Sequence, residues 1–285
     1  MPAANASHTR LSHRSCYRVM GFRCQVASNA PEFIATLDRL NAHFLDTAPE
    51  PGDAIYEAVS HDGGNLWEIT FQDEDLCFRE SLVRAASHVE WHICEQAIAG
   101  RQDLLHVHGA ALAGRDASVL LPGRSGIGKT TFALAAALRG LRLLSDDVVF
   151  LDTQTWQPAS FARAFHIHND ALPRLTPLGL RYAPEDHIGH HLCSTVFDPW
   201  DHAPGPPLRY VVFPRFDAAG PLQLEPMTQA EATVELMRYS KNLRRFPRFG
   251  LDLIPRLLEQ VDCYILRRND DLAAAADLLR SLIAT

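Results

Sequence analysis

ASVLLPGRSGIGKTTFALAAALRG, residues 117–140, decides how the chain is read. Within it, Gly123-Arg124-Ser125-Gly126-Ile127-Gly128-Lys129-Thr130 fills the pattern G-x-x-x-x-G-K-[ST] at every specified position. Glycines let the main chain turn with its N–H groups facing inward. Those donors, with the positive end of the following helix, suit phosphate oxygens. Lys129 adds a mobile positive charge at the β- and γ-phosphates of ATP, the Thr130 hydroxyl is placed for Mg²⁺, and Thr131 continues the first helical turn. The same pattern arises by chance in other chains, so its flanks carry the argument. An apolar strand, 117–122, leads in, and a strong helix former, 130–139, leads out to Gly140, where a C-cap belongs.

Beyond that helix the apolar run 141–144 ends in Ser145-Asp146-Asp147. A carboxylate at the C-terminal edge of a strand beside a phosphate loop is placed to hold a metal ion, because ligands gather outside that edge. A second carboxylate next to it is placed to accept the proton of an attacking hydroxyl. The plainer alternative, a solvated turn, fits poorly between two apolar runs, since VVFL resumes at 148. Upstream, His106 and His108 stand two apart in a strand pattern and so share a face. On its own, a histidine in the place of His108 is more often structural than catalytic.

The rest of the chain frames this core. Residues 1–15 read as a flexible tail, polar and basic, with no apolar run after it of the kind a signal peptide needs. Residues 16–100 read as a small α+β domain with nothing catalytic in it. Its parts are a strand in YRVMGFRCQV, a helix opened by Pro31, strands turning at Asp62-Gly63-Gly64-Asn65, and a long amphipathic helix ending at Gly100. Residues 101–285 read as the nucleotide-binding domain. Proline and histidine crowd 173–207, which suggests a long loop or lid over the site.

Composition limits the partners. With 285 residues, 47% apolar and 21% charged, the chain can bury a sizeable core, and a net charge of -7 disfavours nucleic acid and anionic membrane surfaces. The six cysteines lie at wide, irregular spacings without a C-x-x-C pair, which suggests buried free thiols, and with no run approaching the length of a membrane span a cytoplasmic location is the default expectation.

In order and closeness, His108-Gly109, GRSGIGKT and LRLLSDDVV resemble the catalytic core of HPr kinase/phosphorylase. The likeness spans about residues 104–152. More narrowly, the chain resembles the HPr kinase-related proteins of modified-peptide biosynthesis, lasso-peptide kinases among them, which also carry a small N-terminal domain and late FPR and CYILRRN stretches. The resemblance implies an α/β fold, a P-loop kinase core of the phosphoenolpyruvate-carboxykinase-like type. It implies phosphorylation of a serine hydroxyl, with Asp147 as base, Asp146 with Thr130 at the metal, and His108 in the active site. It also offers Arg215 as a late catalytic-loop arginine. The glycine-rich signature and C-terminal recognition helix that HPr kinase/phosphorylase uses for its own protein substrate are missing, so neither HPr nor the reverse phosphorylase reaction is carried over.

The expectation is an ATP- and Mg²⁺-dependent serine kinase acting on a peptide or small protein, a ribosomally made precursor peptide being one case. A regulatory ATP-binding protein and a kinase for a small-molecule hydroxyl stay open beside it, as does a homo-oligomeric state. Arg244, Arg245 and Arg248 form a small basic cluster, which reads either as a solvated face or as a contact for an acidic peptide.

Overall fold

The computed structural model describes residues 11–284, without the side chain of Phe249. In chain order its elements begin with β1 (His13–Val19), β2 (Phe22–Ser28), α1 (Pro31–Leu40), β3 (Leu45–Asp46), β4 (Ala54–His61), β5 (Leu66–Phe71), β6 (Glu74–Arg79) and α2 (Leu82–Gly100). There follow β7 (Leu105–Ala113), β8 (Ser118–Pro122), α3 (Lys129–Leu138), β9 (Arg142–Ser145), β10 (Val148–Leu151), β11 (Phe165–His166), α4 (Leu172–Leu175), β12 (His187–Ile188) and β13 (His191–Leu192). The chain closes with β14 (Leu208–Phe216), β15 (Gln223–Pro226), α5 (Gln229–Tyr239), α6 (Leu253–Leu258), β16 (Asp262–Arg268) and α7 (Leu272–Ile283). It is a mixed α/β protein of two compact units, one running through Arg101 and including Pro184–Thr195, the other comprising Gln102–Ala183 and Val196–Thr285.

The first unit is built on a six-stranded sheet ordered β3-β1-β2-β4-β5-β6, in which only β2 and β4 run parallel, across the α1 connection. Strand alternation buries Tyr17, Val26, Tyr56, Trp67 and Ile69, and the helices packed on the sheet bury Phe33, Leu37 and Leu40 of α1 and Val89 and Ile93 of α2. Phe33 stacks on Trp67 with ring centroids 5.2 Å apart. Each such large buried side chain contributes roughly 1.5–3 kcal/mol of transfer free energy. Pro31 occupies the first turn of α1, and the Ser81 hydroxyl caps α2 by accepting from the Arg84 N–H.

Two sequence expectations change here. Of the segment 1–15 read as a tail, residues 1–10 lie outside those described, but His13 to Ser15 already pair with β2, His13 opposite Ser28. The stretch 173–207 is not a single loop: it contains α4, β12 and β13, and Pro184–Thr195 packs with the first unit, where β12 and β13 form a short hairpin.

The second unit holds the mixed sheet that positions the site. Its order is β10-β7-β8-β14-β16-β15, with β9 also pairing to β7. Strands β8, β14 and β16 run parallel, while β7 opposes β8, β9 and β10. β7 and β8 are buried along nearly their whole length, the mark of strands covered on both faces. One face packs Val107, Leu120, Val211 and Phe213 against Leu236 of α5 and Ile254 and Leu257 of α6, and α3 with its buried Phe132 and Leu134 lies against α7 and β7. Thr228 and Glu231 form a reciprocal capping box at the start of α5. The six cysteines are free thiols, five of them buried. No helix among the described residues is long and apolar enough to cross a membrane.

Candidate functional site

Strand β8 delivers the chain to Gly123, and α3 begins at Lys129; the turn between them needs two left-handed residues, Gly126 (φ 81°) and Gly128 (φ 78°). The register of β7 against β8 sets Gly109 opposite Pro122, and a Cβ at Gly109 would lie 2.6 Å from the Leu121 carbonyl oxygen. Glycine at 109 therefore permits the close strand approach that brings His108 beside the loop.

The Lys129 ammonium is folded back into the loop, donating to the Arg124 carbonyl at 2.7 Å and to His108 Nε2 at 3.2 Å. Burial lowers its pKa, while the charges of Asp146 and Asp147 act in the opposite direction. On the other side of the imidazole, Nδ1 lies 2.8 Å from the Asp147 carbonyl oxygen and 3.3 Å from its Oδ1. Both are acceptors, so the partners assign the proton to Nδ1 and leave Nε2 to accept from Lys129.

The two aspartates differ in environment. Asp146 is 3% exposed, accepts from the Thr130 hydroxyl at 2.8 Å through Oδ2, and keeps Oδ1 buried without a hydrogen-bond partner. Burial pushes its carboxyl up to about 6. Asp147 sits in the left-handed region at φ 71°, an uncommon and costly conformation for a residue with a side chain. The turn is held by the Val148 N–H on the Asp146 carbonyl at 2.9 Å, and by the pairing of Val148 with His108 across β10 and β7. Asp147 Oδ2 accepts from Arg163 Nη1 at 3.1 Å. The hydrogen bond from His108, then the charges of Arg163 and Lys129, hold the Asp147 carboxyl below the usual carboxylate range despite its partial burial.

No family model and no curated protein matches the chain. Among solved structures it is similar to the Hpr(Ser) kinase/phosphatase from Coxiella burnetii, at 14% identity over 62% of this chain and 95% of that one, with a TM-score of 0.32. A likeness at that TM-score adds no weight to fold or function. The geometry of the second unit stands on its own.

The structure thus brings Lys129, Thr130, His108, Asp146 and Asp147 into one connected network. Thr131 follows in the first turn of α3, and Arg124, Ser125 and Gly126 form the exposed crest of the loop. Arg215 stands outside that network but on a cleft that the loop residues Gly123, Arg124, Gly126 and Ile127 also line. It is half-exposed at the end of β14, 3.3 Å from Glu235, and the cleft, of about 400 Å³, is bordered also by Phe213, Phe216 and Tyr239. No hydrogen bond or ion pair joins it to the aspartates or to Lys129 among the described residues.

Sequence reasoning missed two arginines. Arg163, which clamps Asp147, sits in an irregular segment whose spacing gives no signal. Arg268 is buried at the end of β16, where its Nη2 donates to the Ile127 carbonyl at 2.8 Å. Its place was legible, since strand alternation puts it in phase with the buried Leu266 while Arg267 faces out. Among the described residues, no group of three or more His, Cys, Asp or Glu could hold a metal ion without other ligands.

Proposed function

We propose that the protein is an ATP-dependent serine kinase that transfers the γ-phosphoryl group to a hydroxyl of a peptide or small protein. The observation that carries this reading is the buried contact between the Thr130 hydroxyl and Asp146, with Asp146 Oδ1 left without a partner beside a phosphate-loop lysine. An ionised carboxylate with a free lone-pair face in an apolar setting is costly unless a cation compensates it. Thr130 and Asp146 are the oxygen donors that would hold Mg²⁺, with the remaining ligands from phosphate and water, as is usual for this ion. When bound, Mg²⁺ neutralises charge on the phosphate oxygens.

The chain's own residues divide the remaining work. Loop amides and Lys129 bind the phosphates. Released from its carbonyl contact by an incoming phosphate, the Lys129 ammonium stabilises charge on the group in transfer. Asp147, ionised at neutral pH, accepts a hydrogen bond from the acceptor hydroxyl and aims its oxygen in line. Phosphoryl transfer goes through a loose transition state that asks more for positioning than for a strong base, so a carboxylate of low pKa is adequate. His108 and Arg163 fix that carboxylate from two sides.

The experiment is incubation of the full chain with γ-labelled ATP, Mg²⁺ and separate panels of serine-bearing peptides, small proteins and small-molecule alcohols. Label on a peptide serine, lost in Asp147→Asn by about 10²–10⁴-fold, supports the reading. Label confined to a small molecule, or transfer by Asp147→Asn at the wild-type rate, refutes it.

A further inference from the structure

Arg268 lies behind the loop, on the side away from solvent. It is 3% exposed, and its guanidinium sits between the rings of Phe132 and Phe216, with Cζ 5.5 Å and 5.2 Å from their centroids. Nη2 donates to the Ile127 carbonyl at 2.8 Å and reaches the Gly128 carbonyl at 3.4 Å, while the Nε–H is buried without a partner. No carboxylate pairs with it among the described residues.

The peptide unit supplies the next step. It is planar and trans, so its C=O and N–H point in opposite directions. Holding the Ile127 carbonyl turns the Gly128 N–H away from Arg268, and holding the Gly128 carbonyl does the same for the Lys129 N–H. These are amides of the turn that opens α3. A carbonyl bonded to a cation also polarises its peptide and makes the attached N–H a better donor. Gly128 has no room for a side chain here, since a Cβ would come 2.7 Å from Arg268 Nη2.

The charge itself calls for an explanation. A buried guanidinium without a carboxylate is unfavourable, and placing it at the positive end of a helix adds to the cost. An oligophosphate in the loop offsets both. Two aromatic faces and a planar fork suit arginine and would not suit the compact ammonium of lysine.

We infer that Arg268 is a positioning residue for the loop 123–130, aiming the Gly128 and Lys129 amides and acting as buried counter-charge to an oligophosphate held there. The inference rests on the phosphate site of the proposed function. Its test is equilibrium titration of the full chain with ATP and, separately, inorganic tripolyphosphate, using wild type, Arg268→Met and Arg268→Lys, with thermal unfolding recorded for each. Arg268→Met is expected to lose at least about tenfold in affinity for both ligands, and Arg268→Lys about threefold or more. The KM for ATP should rise in step while kcat changes by less than about threefold. Should Arg268→Met fail to fold, Arg268→Lys decides.

A residue that only packs would lower the unfolding temperature and leave the affinities of the folded protein unchanged. Wild-type affinity in the variants, with wild type binding both ligands, overturns this inference alone. A wild type that binds neither ligand overturns the phosphate site and this inference together.

Discussion

Replacing Asp146 by asparagine should stabilise the ligand-free protein at neutral pH, although the residue sits at the centre of the site. Burial raises its carboxyl from 3.8 to about 6. At about 1.36 kcal/mol per pKa unit, keeping Asp146 ionised above pH 6 costs the folded state about 3 kcal/mol. The Asp146→Asn variant would remove that cost, but its amide accepts the Thr130 hydroxyl without charge assistance, a loss of about 1 kcal/mol. Its NH₂, placed where Oδ1 has no partner, costs about 1 kcal/mol more, which leaves a net gain of about 1 kcal/mol, or roughly 2–4 °C in unfolding temperature.

The pH dependence follows from the sign of the shift. Between about pH 4 and 6 the folded state binds more protons at Asp146 than the unfolded chain does. The residue's contribution is thus most favourable below pH 4, falls as pH rises through this window, and is level above it. The assay is urea denaturation of wild type and Asp146→Asn from pH 4 to 8 without Mg²⁺ or nucleotide. The advantage of the variant should grow between pH 4 and 6 and then plateau, whereas MgATP should stabilise wild type and not the variant. A difference that is flat with pH, or a wild type more stable than the variant at pH 7.5, refutes the argument.

Further predictions concern the surroundings of the pair. Gly109→Ala should cost about 1–3 kcal/mol of stability by urea denaturation, because its Cβ meets the Leu121 carbonyl oxygen at 2.6 Å. Gly128→Ala forces a side chain into φ 78°, a cost of about 1–2 kcal/mol, and crowds Arg268, so nucleotide affinity by titration should fall together with stability. Arg163→Gln removes a charge that lowers the Asp147 pKa, so the acid limb of the transfer-rate profile should move to higher pH; an unmoved limb contradicts the role of that ion pair.

Much of the local order was legible. The run 117–140 specifies strand, turn and helix through short-range chemistry alone, and β8 and α3 follow it. Ser145-Asp146-Asp147 stands out because two carboxylates interrupt apolar sequence, and the structure sets that turn between β9 and β10. Sheet order was not legible. The pairing of β7 with β8, β9 and β10 is what brings His108 to Asp147, and it is decided by long-range register rather than by any local pattern. Arg163 was invisible for the same reason. Arg215, offered by the resemblance alone, pairs with Glu235 and lines a cleft that the loop also borders, a placement set by the parallel pairing of β14 with β8. His13 to Ser15 read as tail because polar residues dominate there, while the ladder to β2 is made by backbone groups that composition does not reveal.

The proposed MgATP site lies in the loop that ends at Lys129 and Thr130 and is distinct in function from Asp147 beside it. Equilibrium binding of ATP in Mg²⁺ to wild type, Lys129→Met and Asp147→Asn tests that division most directly. The structure predicts wild-type affinity in Asp147→Asn and a loss of at least about tenfold in Lys129→Met; ATP bound equally well by Lys129→Met would contradict it.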